Sequence, residues 1–522
     1  MSFTVTDLLV FVVYCILIAV AGFWISIKAN RKKDSNSYFF AGNSLPWYIV
    51  GSSLIAANIS AEQFIGMSGS GYAMGLAIAT YEWLAAIMLI MVALWFLPVF
   101  IRKKILTMPQ FLEERYDRRI RTVLAFFWLF LFIFVNLTSI LYLGALSLKT
   151  VFGVELGYAI AGLAIFSLFL TVGGGLRTIA HTDIIQVAFL VMGGLTTIWL
   201  ALNTVSSGEG VIKGFSIMMA EAPEKFHMIL PASDPNYKYM PGIRSIFGGI
   251  WVAGIYYFGA NQYLIQKALG ARSLREAQRG LVFAAYLKLI IPLLVVLPGI
   301  AAFVLGADIS RPDEAYPWLL HRFVPSGIKG FVFAALIAAI VSSLSAIINS
   351  TSTIFSIDIY KTHFRKNISE HDLVRTGRIA SILMVLAAAL IASRLSGISQ
   401  VFQFIQEYTG LVSPGITALF ILGIFWKRTS VKAARVGVWI TLPVPLMLKR
   451  IMPEMPFLDN MAVSFLIISA VMVLVSMYVK KGSESTDKWD LPDDIFQNED
   501  KIFRYTAMGI PVILFLIYFI FW

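Results

Sequence analysis

A few charged and amide side chains stand inside stretches that are otherwise apolar enough to cross a bilayer. Glu62 and Gln63 share one stretch, Glu82 lies in the next, Lys288 in a later one, and Gln403, Gln406 and Glu407 in another. A charge at bilayer depth costs about 2.5–3.5 kcal/mol even on insertion scales, and such residues usually face a cavity or a partner. The Lys288 ammonium therefore needs an acceptor, and Glu82 is the other buried candidate. Together, Gln63, Glu82, Lys288 and Gln406 both give and receive hydrogen bonds without requiring a charged ligand. That mixture suits a polyhydroxylated molecule, in which each hydroxyl does both. Tyr81, Trp83, Tyr256, Tyr257, Phe402 and Phe404 could stack on the apolar face of a sugar ring, and Phe402 and Gln406, four apart, share a helix face.

A second chemistry needs only oxygen. The run Ala338-Ala339-Ile340-Val341-Ser342-Ser343-Leu344-Ser345 is followed by Asn349, Ser350, Thr351, Ser352 and Thr353. Residues 52–66 place Ser52, Ser53, Asn58, Ser60, Glu62 and Gln63 at the same depth. An unbroken lipid-facing helix would not tolerate that density of polar groups, whereas an interrupted helix lining a cavity would. Hydroxyls opposite the freed carbonyls form a cage for a hard monovalent cation such as Na+. The alternative for either segment is close helix packing by small residues.

The elements that must position these groups are set by composition: 58% of the 522 residues are hydrophobic and 14% are charged. Soluble domains carry about 25% charged residues. A crossing helix needs about 20 apolar residues, and apolar runs bounded by charge or Gly/Pro clusters predict fourteen spans: 5–27, 44–70, 74–101, 122–148, 154–174, 182–205, 245–266, 280–306, 328–360, 376–393, 398–426, 433–448, 460–479 and 505–522. Of the 42 Lys and Arg, 30 fall in or beside the odd-numbered connections and 11 in the even-numbered ones, leaving Lys288 within a span. The positive-inside rule puts the odd connections in the cytoplasm and both termini outside. The first stretch is long enough to span and is followed by Lys28, Arg31, Lys32 and Lys33, unlike a cleaved signal. A structured outer loop is expected over 206–243 and a polar, acidic inner linker over 480–501.

Spans 2 and 7 lie five apart, and both are rich in Gly or polar residues. Interruptions in matching positions point to an inverted-repeat transporter with its site at the breaks. The organisation expected is an extra N-terminal span and loop (1–43), a first five-helix repeat (44–205), the outer loop (206–244), a second repeat (245–426) and three further helices (427–522). Other classes lack their parts. One cysteine, Cys15, excludes a disulfide framework and a cysteine-based metal centre. No basic tail with interleaved aromatics suggests nucleic acid, and there is no P-loop or HExxH. Gly66-Met67-Ser68-Gly69 spells a motif of intramembrane serine proteases, but His181, His227, His321, His363 and His371 all fall in loops or at a span border, leaving no base at membrane depth. The chain is read as no enzyme.

At these residues the sequence resembles the solute:sodium symporters, in particular the sodium/galactose members of the sodium/glucose cotransporter branch. The likeness is carried by Ala56-Ala57-Asn58-Ile59-Ser60-Ala61-Glu62-Gln63-Phe64-Ile65-Gly66, Tyr81-Glu82-Trp83, Thr182-Asp183, Asn261-Gln262-Tyr263, Leu287-Lys288-Leu289, Val341-Ser342-Ser343 and the run from Gln406 to Gly415, over about residues 37–480. The resemblance implies an all-helical membrane protein with the leucine-transporter-type five-plus-five inverted repeat and two discontinuous helices. It implies Na+ held by the carbonyls of Ala56, Ile59 and Ala339 and the hydroxyls of Ser342 and Ser343. It implies sugar bound by Gln63, Glu82, Lys288 and Gln406, with Asn58 joining the two sites. Met67, Tyr81 and Phe402 match the outer gate and Tyr257 the inner one. A second Na+, which some relatives hold, would fall on Asp183 and Ser345, although Ala346 follows the latter; the alternative for Asp183 is a charge at a helix N-terminus. Ala85 stands where the galactose members have Ser, Gly254 where they have Asn, Phe258 where they have Trp, and His181 replaces a Trp before Thr-Asp. The expected function is Na+-coupled import of a galactose- or glucose-like monosaccharide across the inner membrane of the cell. The alternatives are another small solute, such as an amino acid or sialic acid, and a non-transporting sensor of the same fold.

Overall fold

The structure is a computed structural model, and it describes residues 4–29, 34–60, 62–397, 401–478, 491, 492, 494–497 and 500–522. Arg31, Lys32 and Lys33 of the first inner loop and most of the acidic linker, including Asp490, Asp493 and Glu499, lie outside the described residues. The described residues form helices and no β-strand; Leu45 and Ala271 make one isolated parallel bridge. Among them, nine helices are long and apolar enough to cross a membrane, or eleven if two bent pairs each count as one.

Burial sorts these helices into layers. The helix Ile328–Thr353, prolonged by π-helical turns to Phe364, has 94% of its most apolar window buried, whereas Val5–Ile27 has 17%. The serine- and threonine-rich segment is therefore the axis of the bundle, and the N-terminal helix is lipid-facing cladding.

The expected interruptions are present. The helix Trp47–Asn58 stops, Ile59 turns to an extended conformation, and helix resumes over Glu62–Met67 and Ser68–Met74. The helix Gly249–Ile255 continues through a π-helical turn, Tyr256–Ala260, breaks at extended Asn261 and resumes over Gln262–Leu269. Both halves of the first interrupted helix press against the helix Leu274–Val304, which carries Lys288. A Cβ on Gly299 would fall 1.9 Å from the Ser68 carbonyl oxygen, and one on Gly51 would fall 2.6 Å from that of Gly280.

Spans read separately as 154–174 and 182–205 form one helical run, Leu156–Val205, bent at Gly175, whose φ of 58° and ψ of −152° suit glycine. Asp183 consequently lies eight residues into a continuing helix, so the reading of it as a helix N-terminal charge is corrected.

Candidate functional site

The first break is made by local capping. Ser60 Oγ accepts from the Glu62 amide at 3.0 Å, while Gln63 Oε1 accepts from the Ser60 amide at 3.0 Å. The arrangement, Ser-x-x-Gln, is a variant of the capping box with the serine oxygen on the second amide rather than the third, and it starts a new helix in mid-span. Because the Ser60 amide is taken by Gln63, the Ala56 carbonyl loses its ordinary helical partner. The Ser343 hydroxyl lies 3.3 Å from the Ala56 carbonyl oxygen and 3.5 Å from that of Ile59. Ala339 is buried one turn before Ser343 on the same helix. Thus Ala56, Ile59 and Ser343 converge as expected.

Ser342 turns the other way, and its hydroxyl donates to Asp183 Oδ1 at 2.6 Å. Asp183 Oδ2 also accepts from Ser53 at 2.5 Å and from the Lys267 ammonium at 3.2 Å. Asp183 is 0% exposed and Lys267 is 1% exposed. Lys267 therefore joins Lys288 as a basic group inside the bundle, and the assignment of Lys267 to a solvated connection is corrected. Ser345 is buried, and its hydroxyl has no hydrogen-bond partner among the described residues.

A central cavity of about 780 Å3, including its open mouth, lies beside this cage. Asn58, Gln63, Tyr81, Glu82, Tyr257, Lys288, Phe402 and Gln406 line it. The Lys288 ammonium donates to Glu82 Oε2 at 2.5 Å, with both side chains at 5% exposure or less. The same ammonium lies 5.4 Å from the centre of the Phe258 ring. The pair leaves the cavity without net charge from these two residues. Asn58 Nδ2 donates to the Tyr257 hydroxyl at 3.1 Å, and Tyr257 is hydrogen-bonded in turn to the Tyr263 hydroxyl.

Several groups lining the cavity are buried without a protein partner among the described residues: Asn58 Oδ1, Glu62 Oε1, the Tyr81 hydroxyl, Asn261 Oδ1 and Ser413 Oγ. Buried polar atoms are normally hydrogen-bonded. This ring of unanswered donors and acceptors fits a ligand rich in hydroxyls.

Tyr81 and Phe402 meet edge-on, their ring centres 5.7 Å apart, and Phe402 packs against Gly66, where a Cβ would lie 2.8 Å from its own. Met67 beside them is fully buried. Gly410 and Met461 line both this cavity and a neighbouring one bordered by Lys238, Tyr239, Glu407 and Lys449. Glu407 is 40% exposed there and pairs with Lys449 at 2.5 Å, so it does not serve the central cavity.

Sequence reasoning missed Lys267, Asn136, Met88 and Thr409. Lys267 sits at the edge of a basic connection, and the spacing carries no sign that it folds inward. Asn136 does interrupt an apolar run and could have been found. Ser68 of the protease-like motif is buried with no hydrogen-bond partner among the described residues, so nothing activates it.

Comparisons with known proteins give the family and the fold. The model of the sodium:solute symporter family matches residues 38–441. The chain is 49% identical to a sodium/glucose cotransporter of Vibrio parahaemolyticus, over 99% of this chain and 98% of the relative. It is 32% identical to the human sodium/myo-inositol cotransporter 2, over 82% and 67%. In fold, it is similar to an outward-open Na+-coupled sialic acid symporter, with a TM-score of 0.81 at 24% identity, covering 92% of this chain and 99% of the other. It is also similar to the nucleobase-cation-symport-1 transporter Mhp1, with a TM-score of 0.54 at 15% identity, covering 86% and 96%.

Proposed function

The chain belongs to the sodium:solute symporter family, with Na+ as the co-transported ion, and from that premise we propose that it imports a neutral monosaccharide by alternating access. The observation that carries this reading is that one break serves two sites. The carbonyls freed at Ala56 and Ile59 meet Ser343, and Asn58 between them bonds Tyr257 at the cavity.

Na+ is held by the carbonyls of Ala56, Ile59 and Ala339 with the hydroxyls of Ser342 and Ser343. Its arrival locks the axial helix against the interrupted one and fixes Asn58. A cation at Ser342 takes a lone pair of the hydroxyl oxygen while its proton stays on Asp183, whose charge Lys267 already balances. A single Na+ per cycle is therefore the favoured stoichiometry, over a second ion at Asp183 and Ser345.

Sugar hydroxyls bond to Glu82, Lys288, Gln406 and the amide nitrogen of Gln63, while Asn58 and Tyr81 supply further partners. The mutual neutralisation of Glu82 and Lys288 argues against an organic anion or an amino acid. Tyr81, Met67 and Phe402 close the outer side, and Tyr257 closes the inner side. The membrane potential adds about 2.3 kcal/mol per charge per 100 mV to the Na+ gradient.

The topology proposed has fourteen crossings with both termini outside. Counting the halves of Leu156–Val205 separately and each interrupted helix once adds three to the eleven. The contacts between connections support the sidedness. Thr4 near the N-terminus meets Ser326, and the carbonyl of Phe521 near the C-terminus accepts from Met228, joining both chain ends to connections expected outside. Arg435, at the inner end of span 433–448, meets Asp117, and Ser35 meets Glu370, on or beside connections expected inside.

The test is uptake of labelled galactose and glucose into proteoliposomes under an inward Na+ gradient, with K+ in its place as the control. Accumulation above equilibrium with Na+ alone supports symport. Equilibration that ignores the cation would reject it, and binding without flux would indicate a sensor.

A further inference from the structure

One patch of the central cavity's lining, Ala85, Met88, Ala253 and Gly254, carries no hydrogen-bonding side chain. Along the helix Thr80–Met91, residues three apart share a face, and the cavity-lining residues there run from Glu82 through Ala85 to Met88. The strip passes from a charged pair to a methyl group to a thioether. Packed directly against Met88 stand Ala253 and Gly254, on the neighbouring helix. Met88, 1% exposed, fills the space that a side chain at residue 254 would occupy, since a Cβ there would fall 1.8 Å from its sulfur. Ala85 and Gly254 are two of the positions at which the chain departs from the Ser and Asn of the galactose-type sequences it resembles. The structure brings both to this wall, with Met88 in the volume that a side chain at residue 254 would need. Methionine, flexible and apolar, fills such gaps well.

A sugar hydroxyl turned toward this wall would lose its water and gain no partner. The penalty for leaving a buried polar group unpaired is what lets a site discriminate between substrates. A carbon without its hydroxyl would instead pack against Ala85 and the Met88 thioether. The polar groups described above answer the hydroxyls on the opposite side.

We propose that the preferred substrate is a monodeoxyhexose, with the missing hydroxyl facing Ala85, Met88 and Gly254. This rests on the reading of the substrate as a monosaccharide.

The experiment is Na+-driven uptake into proteoliposomes of galactose, glucose and their 2-deoxy and 6-deoxy derivatives. The native protein is compared with the triple variant Ala85→Ser, Met88→Ala, Gly254→Asn. In the native protein, one deoxy sugar should exceed its parent hexose in kcat/KM by at least about tenfold, the lower end of what one group confers. In the variant, that ratio should fall or invert. A native protein that takes the parent hexose as well as or better than every deoxy derivative overturns the assignment and leaves Na+/sugar symport standing. Failure to accumulate any sugar, with Na+-driven uptake of another solute, overturns both. The native arm decides the matter even if the triple variant does not fold.

Discussion

Asn58 donates a 3.1 Å hydrogen bond to the Tyr257 hydroxyl, joining two helix interruptions that stand 199 residues apart in the chain. Asn58 ends the first half of one interrupted helix, and Tyr257 sits just before the break in the other. The bond ties the turn whose carbonyls meet Ser343 to a tyrosine that lines the cavity. On the proposed mechanism, Na+ bound at the 56–59 turn would act on Tyr257 through this bond.

Tyr257→Phe should uncouple that link. The ring remains to stack on a sugar, but the acceptor for Asn58 and the partner of Tyr263 are lost. Net hydrogen bonds are worth about 0.5–1.5 kcal/mol each. The apparent sugar KM should therefore rise about tenfold while uptake stays Na+-dependent. An unchanged KM would remove Tyr257 from the site.

Ser343→Ala removes the hydroxyl that meets the Ala56 and Ile59 carbonyls. The Na+ concentration for half-maximal uptake should rise at least about tenfold, with the thermal unfolding midpoint in detergent shifting by only a few degrees. An unchanged Na+ dependence would place the ion elsewhere.

Lys288→Met leaves Glu82 as a buried carboxylate without its cation. Breaking a buried pair from one side costs about 3–5 kcal/mol, so the variant should express poorly and transport nothing. Adding Glu82→Gln should restore much of the thermal stability but not transport, because both groups are proposed to bind the ligand. A double variant that transports normally would show that the pair is structural alone.

Lys267→Met should similarly strand Asp183 and lower the unfolding midpoint, whereas Lys267→Arg should be tolerated because a guanidinium still meets Asp183 Oδ2. If Lys267→Met were stable and gained a requirement for a second Na+, Asp183 and Ser345 would form the second cation site.

Much of this architecture is legible in the order of the amino acids. Hydrophobic runs mark the crossings because bilayer thickness fixes their length. Ser60 and Gln63 announce the first break, since a capping box is a local signal that works at any depth. Gln63 on the first interrupted helix and the hydroxyls of the axial helix stand out as polar groups that lipid would not accept, whereas the carbonyls of Ala56, Ile59 and Ala339 and the gate residues are carried by the family resemblance. The partnership of Asp183 with Lys267 is not legible there, because it depends on how the helix past Asn261 turns inward. Nor does spacing reveal that Met88 fills the hollow at Gly254, which only three-dimensional packing decides. Ser342 is a mixed case: its place beside the cage can be read, but not that its hydroxyl turns to Asp183.

The central claim is that Na+ and sugar move together through one protein, and the most direct measurement is sodium tracer flux driven by sugar alone. Proteoliposomes with equal Na+ on both sides would receive an inward gradient of a transported sugar. Native protein should drive transient tracer accumulation above the outside level, and Ser343→Ala should not at the same Na+ concentration. Sugar entry with no accompanying Na+ movement would contradict the coupling outright.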